Sequence, residues 1–233
     1  MKRMPATTVS PPSKYPFKAS PYSSHSLLLA QFPNHGEGRR VLDVGCGYGH
    51  LGELLAQRGY AVTGVDFPGL PHSPEIDFAE ADLDRGLPQL NGRFDFILCA
   101  DVLEHLRDPL QMLEDCRGLL AAHGALIASL PNSGHAYFRL QVLLGRFPQD
   151  DRGLFDRTHV RFFPWDGWVA LLERAGFRIT SLQCSGVPVG EALPKWKSGW
   201  LVRMLERLSF LSARMWKRLF AYQFVVRAEG RVN

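Results

Sequence analysis

Short apolar runs alternate along the chain with segments whose leucines recur at helical spacing. Residues 39–45 and 61–66 are rich in β-branched residues and leucine, and between them Leu51, Leu54 and Leu55 lie on one face of a helix. This order predicts a strand, a turn, a helix and a second strand. Similar runs predict further strands at residues 76–82, 94–100, 125–130, 177–182 and 222–227.

Proline and glycine mark the expected helix ends. Pro109 opens a predicted helix that runs through Leu120 and ends at His123 and Gly124, since proline is tolerated in a first helical turn and glycine favours a helix end. Another helix is predicted over residues 165–175. Strands that alternate with helices indicate a doubly wound α/β fold, with a mostly parallel sheet covered on both faces.

Two insertions interrupt this alternation. Residues 133–163 follow the fifth predicted strand, and residues 186–220 separate the sixth from the seventh. We expect both to form the acceptor side of a binding site, because the connections at the carboxyl ends of parallel strands carry specificity. Residues 1–21, rich in Pro, Ser and Lys, are expected to form a flexible arm, which leaves one domain over residues 22–233.

Composition narrows the class of protein. With 233 residues, 45% of them hydrophobic, and a net charge of +4, the chain has the core of one globular domain and no charge excess that would predict nucleic-acid binding. Residues 1–21 lack the continuous apolar run of a secretory signal, and no segment has about 18 consecutive apolar residues, the length that spans a bilayer. The four cysteines lack a C-x-x-C pair, which favours free thiols. We therefore expect a cytoplasmic protein, at most peripheral at the inner face of a membrane.

The turn after the first strand reads Asp-Val-Gly-Cys-Gly-Tyr-Gly over residues 43–49. In an open parallel sheet this turn is the usual ligand cradle. Here Gly45, Gly47 and Gly49 let the backbone turn sharply beneath a ligand. Asp66, at the end of the second strand, can accept two hydrogen bonds from the vicinal hydroxyls of a ribose. An ordinary tight turn, and a helix cap at Asp66, are the structural alternatives.

A nicotinamide dinucleotide is disfavoured by two residues of this turn. The dinucleotide fingerprint, G-x-G-x-x-G, needs a third glycine for close helix packing beneath a pyrophosphate, and His50 stands there. Asp43 would also be poorly placed beside a pyrophosphate, whereas it can orient the loop and receive an ammonium group. The residues thus predict a ligand that carries a ribose and an amino acid.

Residues 41–49 resemble the first motif of the class I S-adenosylmethionine-dependent methyltransferases, and the resemblance continues through Asp66, residues 82–83 and residues 100–106. It implies a seven-stranded, Rossmann-like methyltransferase fold whose last strand is antiparallel, with S-adenosylmethionine as the cofactor. It places the adenine beside the end of the third strand, against Asp82 or the neighbouring backbone. The cofactor-binding residues that it implies are Asp43, Gly45, Cys46, Gly47, Gly49, Asp66, Asp82, Leu83, Ala100 and Asp101.

Asp101, Glu104 and His105 form a D-x-x-E-H pattern at the start of a predicted helix, where positions i, i+3 and i+4 share a face. The pattern resembles the E-x-x-E-H element that binds a divalent metal in ubiquinone-pathway O-methyltransferases and, with a downstream histidine, in small-RNA 2′-O-methyltransferases. The resemblance implies a metal site made of these residues and His159, although Asp101 is shorter than the usual glutamate. The favoured alternative is that these residues only begin a helix and pack against the core, without a metal.

His105 and His159 are the candidate catalytic bases. A neutral imidazole is available near pH 7 to accept a proton from an alcohol. A structural role is the alternative for each histidine.

Three stretches downstream, residues 129–135, 143–148 and 158–163, resemble methyltransferases that accompany bacterial polysaccharide assembly and a methionine-biosynthesis relative. The expected function is therefore O-methylation of a hydroxyl on a small molecule or saccharide. The main alternative is a non-catalytic, cofactor-binding partner or regulatory protein with the same fold. RNA methylation and nicotinamide oxidoreduction rank lower, because the charge is modest, no RNA-binding module is recognisable and His50 replaces the third glycine.

Basic and aromatic side chains are interleaved over residues 191–220, on a predicted amphipathic helix. Tryptophan and cations suit the headgroup region of an anionic membrane, and a lipid-linked glycan would then be a sensible acceptor. A helix that covers the pocket, with its charges in water, is the favoured alternative. The side chains concerned are Lys195, Trp196, Lys197, Trp200, Leu201, Arg203, Leu205, Arg207, Leu208, Leu211, Arg214, Trp216, Lys217 and Arg218.

Overall fold

The computed structural model describes residues 20–70, 72–192 and 199–231. Within them the chain forms a seven-stranded sheet flanked by helices. The strands are β1 (Arg40–Val44), β2 (Ala61–Asp66), β3 (Asp77–Glu80), β4 (Phe94–Ala100), β5 (Leu120–Pro131), β6 (Phe177–Ser185) and β7 (Gln223–Gly230). The α-helices are α1 (Ser24–Leu29), α2 (His50–Ala56), α3 (Pro109–Leu119), α4 (Ala136–Leu143), α5 (Trp165–Arg174), α6 (Val189–Ala192), α7 (Trp200–Met215) and α8 (Lys217–Phe220).

The strand order across the sheet is β3-β2-β1-β4-β5-β7-β6, and β1 to β5 run parallel to their neighbours in that group. Strand β7 lies antiparallel between β5 and β6. The predicted doubly wound α/β fold with an antiparallel last strand is therefore confirmed. The strand order reverses between β1 and β4, and open α/β sheets bind ligands at the carboxyl side of such a reversal.

The core lies on both faces of the sheet. Along β1, Leu42 and Val44 pack into a cluster that includes Trp168 and Phe224, whereas Val41 packs into a second cluster. Alternate side chains of a strand point to opposite faces, and both faces are covered here. This is why the strands read as continuous apolar runs in the sequence.

The predicted helix end at His123 and Gly124 is wrong. Helix α3 ends at Leu119, and the chain passes directly into β5, where Leu120 pairs with Phe94. The register of this pair then shifts, and a Cβ on Gly124 would lie 2.9 Å from the carbonyl oxygen of Phe94. Gly124 therefore permits two strands to approach closely and does not end a helix.

Several element boundaries also differ from the pattern. Strand β3 is shorter than residues 76–82, and β6 continues past residue 182. The helix expected to start near Asp101 is a single 3-10 turn, Leu103–His105.

Both insertions contain helices. Residues 133–163 contain α4, and residues 186–220 contain α6, α7 and α8. Residues 1–19 of the expected arm lie outside the described residues, as do residues 193–198 with Lys195, Trp196 and Lys197. No helix in the described ranges combines the length and the apolar character needed to cross a bilayer.

Candidate active site

A cavity of about 900 Å³ opens at the carboxyl ends of the parallel strands, beside the reversal of strand order. Its wall is built from the turns that follow β1, β2, β3 and β4, together with the end of β5. Val44 of β1 pairs with Val65 and with Cys99, so these strands reach the same edge and deliver their turns to one place. The glycine turn predicted from the sequence therefore lines this cavity.

The glycine turn adopts a conformation that other residues rarely take. Gly45, Gly47 and Gly49 have φ angles of 71°, 55° and 78°, in the left-handed region. A Cβ on Gly45 would also lie 2.5 Å from Cγ2 of Val102. Gly49 caps α2 and does not line the cavity, whereas Gly45, Cys46 and Gly47 do.

Asp66 holds this turn in place from the end of β2. Its Oδ2 accepts a hydrogen bond from the Gly47 amide at 2.7 Å, and its Oδ1 accepts one from the Phe67 amide at 2.7 Å. Each carboxylate oxygen has a second lone pair. Asp66 lines the cavity and therefore keeps acceptor capacity for ligand hydroxyls.

Asp43 is an acid buried in the cavity wall, with 1% of its surface exposed. Burial, and secondarily the negative charge of Asp66, raise the pKa of its carboxyl group to about 7. A hydrogen bond from the Gly52 amide opposes this rise. A cation bound nearby would favour the ionised carboxylate.

The turn after β3 presents Leu83, which was expected, and Asp84, which was not. Leu83 and Asp84 line the cavity, but Asp82 does not. The Asp82 carboxylate instead accepts from the Asp84 amide at 3.1 Å and pairs with Arg85 at 3.2 Å. The structure thus gives Asp82 a capping role and leaves Leu83 and Asp84 to face a ligand. The sequence pattern missed Asp84, since the motif alone does not show which acid of the turn faces inward.

Asp101, just after β4, forms hydrogen bonds to β5 and β7. Its φ of 54° is unusual for a residue with a side chain. Its amide donates to Oγ of Ser129 at 3.0 Å, and its carboxylate accepts from the Ser129 hydroxyl and from Nε2 of Gln223 at 2.7 Å. Asp101 and Gln223, together with Ala100, line the cavity. Gln223 lies at the start of β7, and nothing in the sequence pattern marked it.

Glu104, His105 and His159 come together in the cavity wall. One ligand atom from each lies within 4.8 Å of the others, and Glu104 is 1% exposed. The amides of Val160 and Arg161 donate to the Glu104 carbonyl at 3.0 and 3.1 Å, which brings the loop of His159 onto the 3-10 turn. One carboxylate with two imidazoles is a donor set that fits a divalent transition metal. Asp101 does not belong to this cluster, so the expected four-ligand set is reduced to three.

The two histidines of this cluster differ electrostatically. Burial, reinforced by the proximity of His105, lowers the pKa of His159 to about 4, so its ring is neutral at pH 7. Nδ1 of His105 lies 3.1 Å from the Thr158 carbonyl oxygen. The Thr158 hydroxyl is equally close to Nδ1, at 3.1 Å, but it donates to Asp156 at 2.6 Å. A hydrogen on Nδ1 therefore fits both oxygens, and in that tautomer Nε2 of His105 keeps a lone pair that can take up a proton.

The insertions contribute unequally to the cavity. The first supplies residues between Arg152 and His159, including Leu154 and Asp156, whereas the second supplies Val187 and Pro188. Residues 199–220, which include α7, line no part of it. The described part of the amphipathic segment thus does not act as the pocket cover that the sequence favoured.

The strand reversal, the left-handed glycine turn and the acid after β2 together define an α/β fold of the class I methyltransferase type. Residues 20–182 match the family described as a methyltransferase domain. The chain belongs to this family.

The chain is also similar to individual methyltransferases. It is 32% identical over 116 residues to the ubiquinone biosynthesis O-methyltransferase of Azotobacter vinelandii, covering 46% of this chain and 50% of the relative. The Histophilus somni protein of the same name is 36% identical over 119 residues, covering 45% and 50%. The chain thus spans about half the length of the curated relatives it matches.

Among solved structures, an S-adenosylmethionine-dependent methyltransferase from Mesorhizobium loti has the same fold. Its TM-score is 0.57 at 20% identity, over 88% of this chain and 97% of that one.

Proposed function

We propose that the protein is an S-adenosylmethionine-dependent methyltransferase that methylates a hydroxyl oxygen on a small molecule or saccharide. One observation carries the proposal: the glycine turn, Asp43 and Asp66 share a single cavity with His105. That cavity offers hydrogen-bond acceptors for a ribose, a buried acid for a cation and a proton acceptor for an alcohol. Family membership supports the same reaction class.

The cofactor side uses the first two strand ends. The Asp66 oxygens accept the ribose hydroxyls, and the backbone at Gly45 and Gly47 lets the nucleoside approach without a Cβ in the way. Asp43 orders the turn and stabilises the positive charge of the amino acid portion. Leu83 and Asp84 flank the adenine.

In the transfer step, the acceptor oxygen forms a bond to the methyl carbon while the bond between that carbon and the sulfonium sulfur breaks. The products are the methyl ether and S-adenosylhomocysteine. The sulfonium methyl is already activated, so the protein contributes chiefly by aligning acceptor and methyl group. The hydroxyl proton must leave, and Nε2 of His105 is the group that receives it.

The structure favours different roles for the two predicted bases. A ring whose pKa is about 4 binds a proton weakly at pH 7, which makes His159 a poor base. Its ring centroid lies 4.7 Å from that of His105. We therefore assign proton uptake to His105 and a positioning role to His159.

A divalent metal remains a second way to activate the same hydroxyl. Glu104, His105 and His159 would hold it, and it would act there as a Lewis acid. If activity survives exhaustive chelation and does not rise with added Mg²⁺, Mn²⁺ or Zn²⁺, the histidine mechanism is retained and the metal is rejected.

The names of two relatives support the choice of acceptor atom, and the cysteines support the proposed compartment. The two curated relatives are named as O-methyltransferases, which supports oxygen as the methylated atom. All four cysteines are free, which supports the reducing cytoplasm expected from the sequence.

The direct test is to measure S-adenosylhomocysteine released from S-adenosylmethionine with panels of phenols, alcohols and saccharides. We expect at least one hydroxyl compound to give turnover that His105→Gln lowers roughly 100-fold or more. Cofactor binding with no turnover on any panel member would support the non-catalytic alternative.

A further inference from the structure

Helix α7 carries an exposed apolar stripe. Trp200, Met204, Leu208, Leu211 and Met215 follow one another at intervals of three or four residues, which places them on one helix face. Trp200 is 71% exposed, Leu208 54% and Met215 89%. A surface helix normally turns such a stripe toward the core, so this one faces outward without cover from the described chain.

The opposite face of α7 attaches the helix to the domain. Val202 and Ala213 are buried there. The Ser209 hydroxyl accepts a hydrogen bond from the Val187 amide at 2.9 Å. The outward stripe is therefore fixed in orientation.

The charged residues around the stripe indicate which kind of partner it can bind. Residues 200–220 contain five Lys or Arg residues and one acid, Glu206. The Glu206 carboxylate points inward, where it accepts from the Ser20 hydroxyl at 2.9 Å and the Gly190 amide at 3.1 Å. Arg203, Arg207 and Arg214 are exposed and form no ion pair within the described residues.

The geometry points to an anionic membrane surface as the partner of α7. Its apolar side chains would enter the headgroup boundary, and its arginines would meet lipid phosphates. Pairing with a second copy of this chain would bring the same arginines against one another, which like-charge repulsion opposes. The exposed Trp216, at the end of the helix, suits the headgroup region.

Helix α7 is attached to the domain close to the cavity. Val187, whose amide donates to Ser209 of α7, lines the cavity. After α8, Nδ2 of Asn132 donates to the Ala221 carbonyl at 2.8 Å, and the neighbouring residues Pro131, Tyr222 and Gln223 line the cavity. The proposed membrane contact does not depend on which acceptor is methylated.

The test is co-sedimentation of the full chain with vesicles of phosphatidylcholine alone or mixed with phosphatidylglycerol. We expect binding to the mixed vesicles only, weakened by high salt. Leu208→Glu should weaken it roughly tenfold or more, because a charge replaces an inserted apolar group. Arg203→Gln with Arg207→Gln should weaken it by about the same factor.

Arg117→Gln with Arg174→Gln is the matched control. It removes the same charge from exposed positions near Gly176, just before β6 begins, whereas α7 packs against Gly186, just after β6 ends. It should leave vesicle binding unchanged. The proposal is overturned if the wild-type chain ignores anionic vesicles at low salt, or if the control and the α7 variants behave alike. A lipid-free dimer that Leu208→Glu dissociates in sedimentation velocity would equally overturn it in favour of a second copy.

Discussion

The carboxyl group of Asp43 is buried next to that of Asp66, and its pKa of about 7 lies far above the ordinary value of an aspartate. Ionisation of a buried carboxyl group without a compensating charge destabilises the folded protein. A bound cationic ligand supplies that charge and so stabilises the ionised form of Asp43. We therefore propose that Asp43 couples ligand binding to proton release.

This coupling predicts that affinity for S-adenosylmethionine rises with pH up to about 7 and levels off above that. The sign follows because the protonated carboxyl must lose its proton to attract the cation, and a lower pH opposes that loss. Calorimetric titrations at several pH values measure the slope, which reaches at most about tenfold per pH unit. Asp43→Asn should bind more weakly with a flat profile; a flat profile in the wild type would contradict the role of Asp43.

Substitution of His105 and substitution of His159 should lower kcat by different factors. His105→Gln should lower kcat roughly 100-fold or more, as loss of a general base does, while the Kd for S-adenosylmethionine stays close to that of the wild type. His159→Gln should have a smaller effect, because its imidazole is a weak base. Steady-state rates with an identified acceptor provide the comparison, and a larger loss for His159→Gln would reverse the assignment.

At the scale of elements, the strands could be predicted because both faces of the sheet are buried and each strand is a nearly continuous apolar run. The junction between α3 and β5 could not. Gly124 is a helix stop by local rules, yet it serves a close contact with Phe94, a residue distant in sequence. Local propensity carries no information about such a neighbour.

The close packing at the junction between α3 and β5 can be tested by measuring the stability of variants. Gly124→Ala should lower the free energy of unfolding by about 1–3 kcal/mol, since the new Cβ meets a backbone carbonyl that has little freedom to move. Gly118→Ala is the matched control, because its Cβ would meet nothing within 4 Å in helix α3, and it should stabilise by up to about 1 kcal/mol. Urea denaturation measures both, and equal effects would contradict the packing at β5.

At the scale of the whole molecule, the cofactor side follows from a contiguous motif, whereas the acceptor side does not. Residues 41–49 and Asp66 lie at strand ends that the sheet necessarily brings together. His159 and Gln223 reach the cavity only through the tertiary fold, from an inserted loop and from an antiparallel strand. Tertiary contacts also explain why Asp101 is not part of the cluster of Glu104, His105 and His159. Its carboxylate accepts hydrogen bonds from Ser129 and Gln223 instead.

The proposed function requires that the cavity after β1 binds an adenosine joined to an amino acid. Calorimetric titration with S-adenosylhomocysteine, with NAD as the comparison ligand, tests this on three chains: wild type, Asp66→Ala and the control Asp77→Ala, an exposed residue of β3 outside the cavity. We predict that wild type and Asp77→Ala bind S-adenosylhomocysteine alike, that Asp66→Ala binds at least about tenfold more weakly, and that NAD gives no binding. Unchanged affinity in Asp66→Ala, or preferential binding of NAD, would contradict the account.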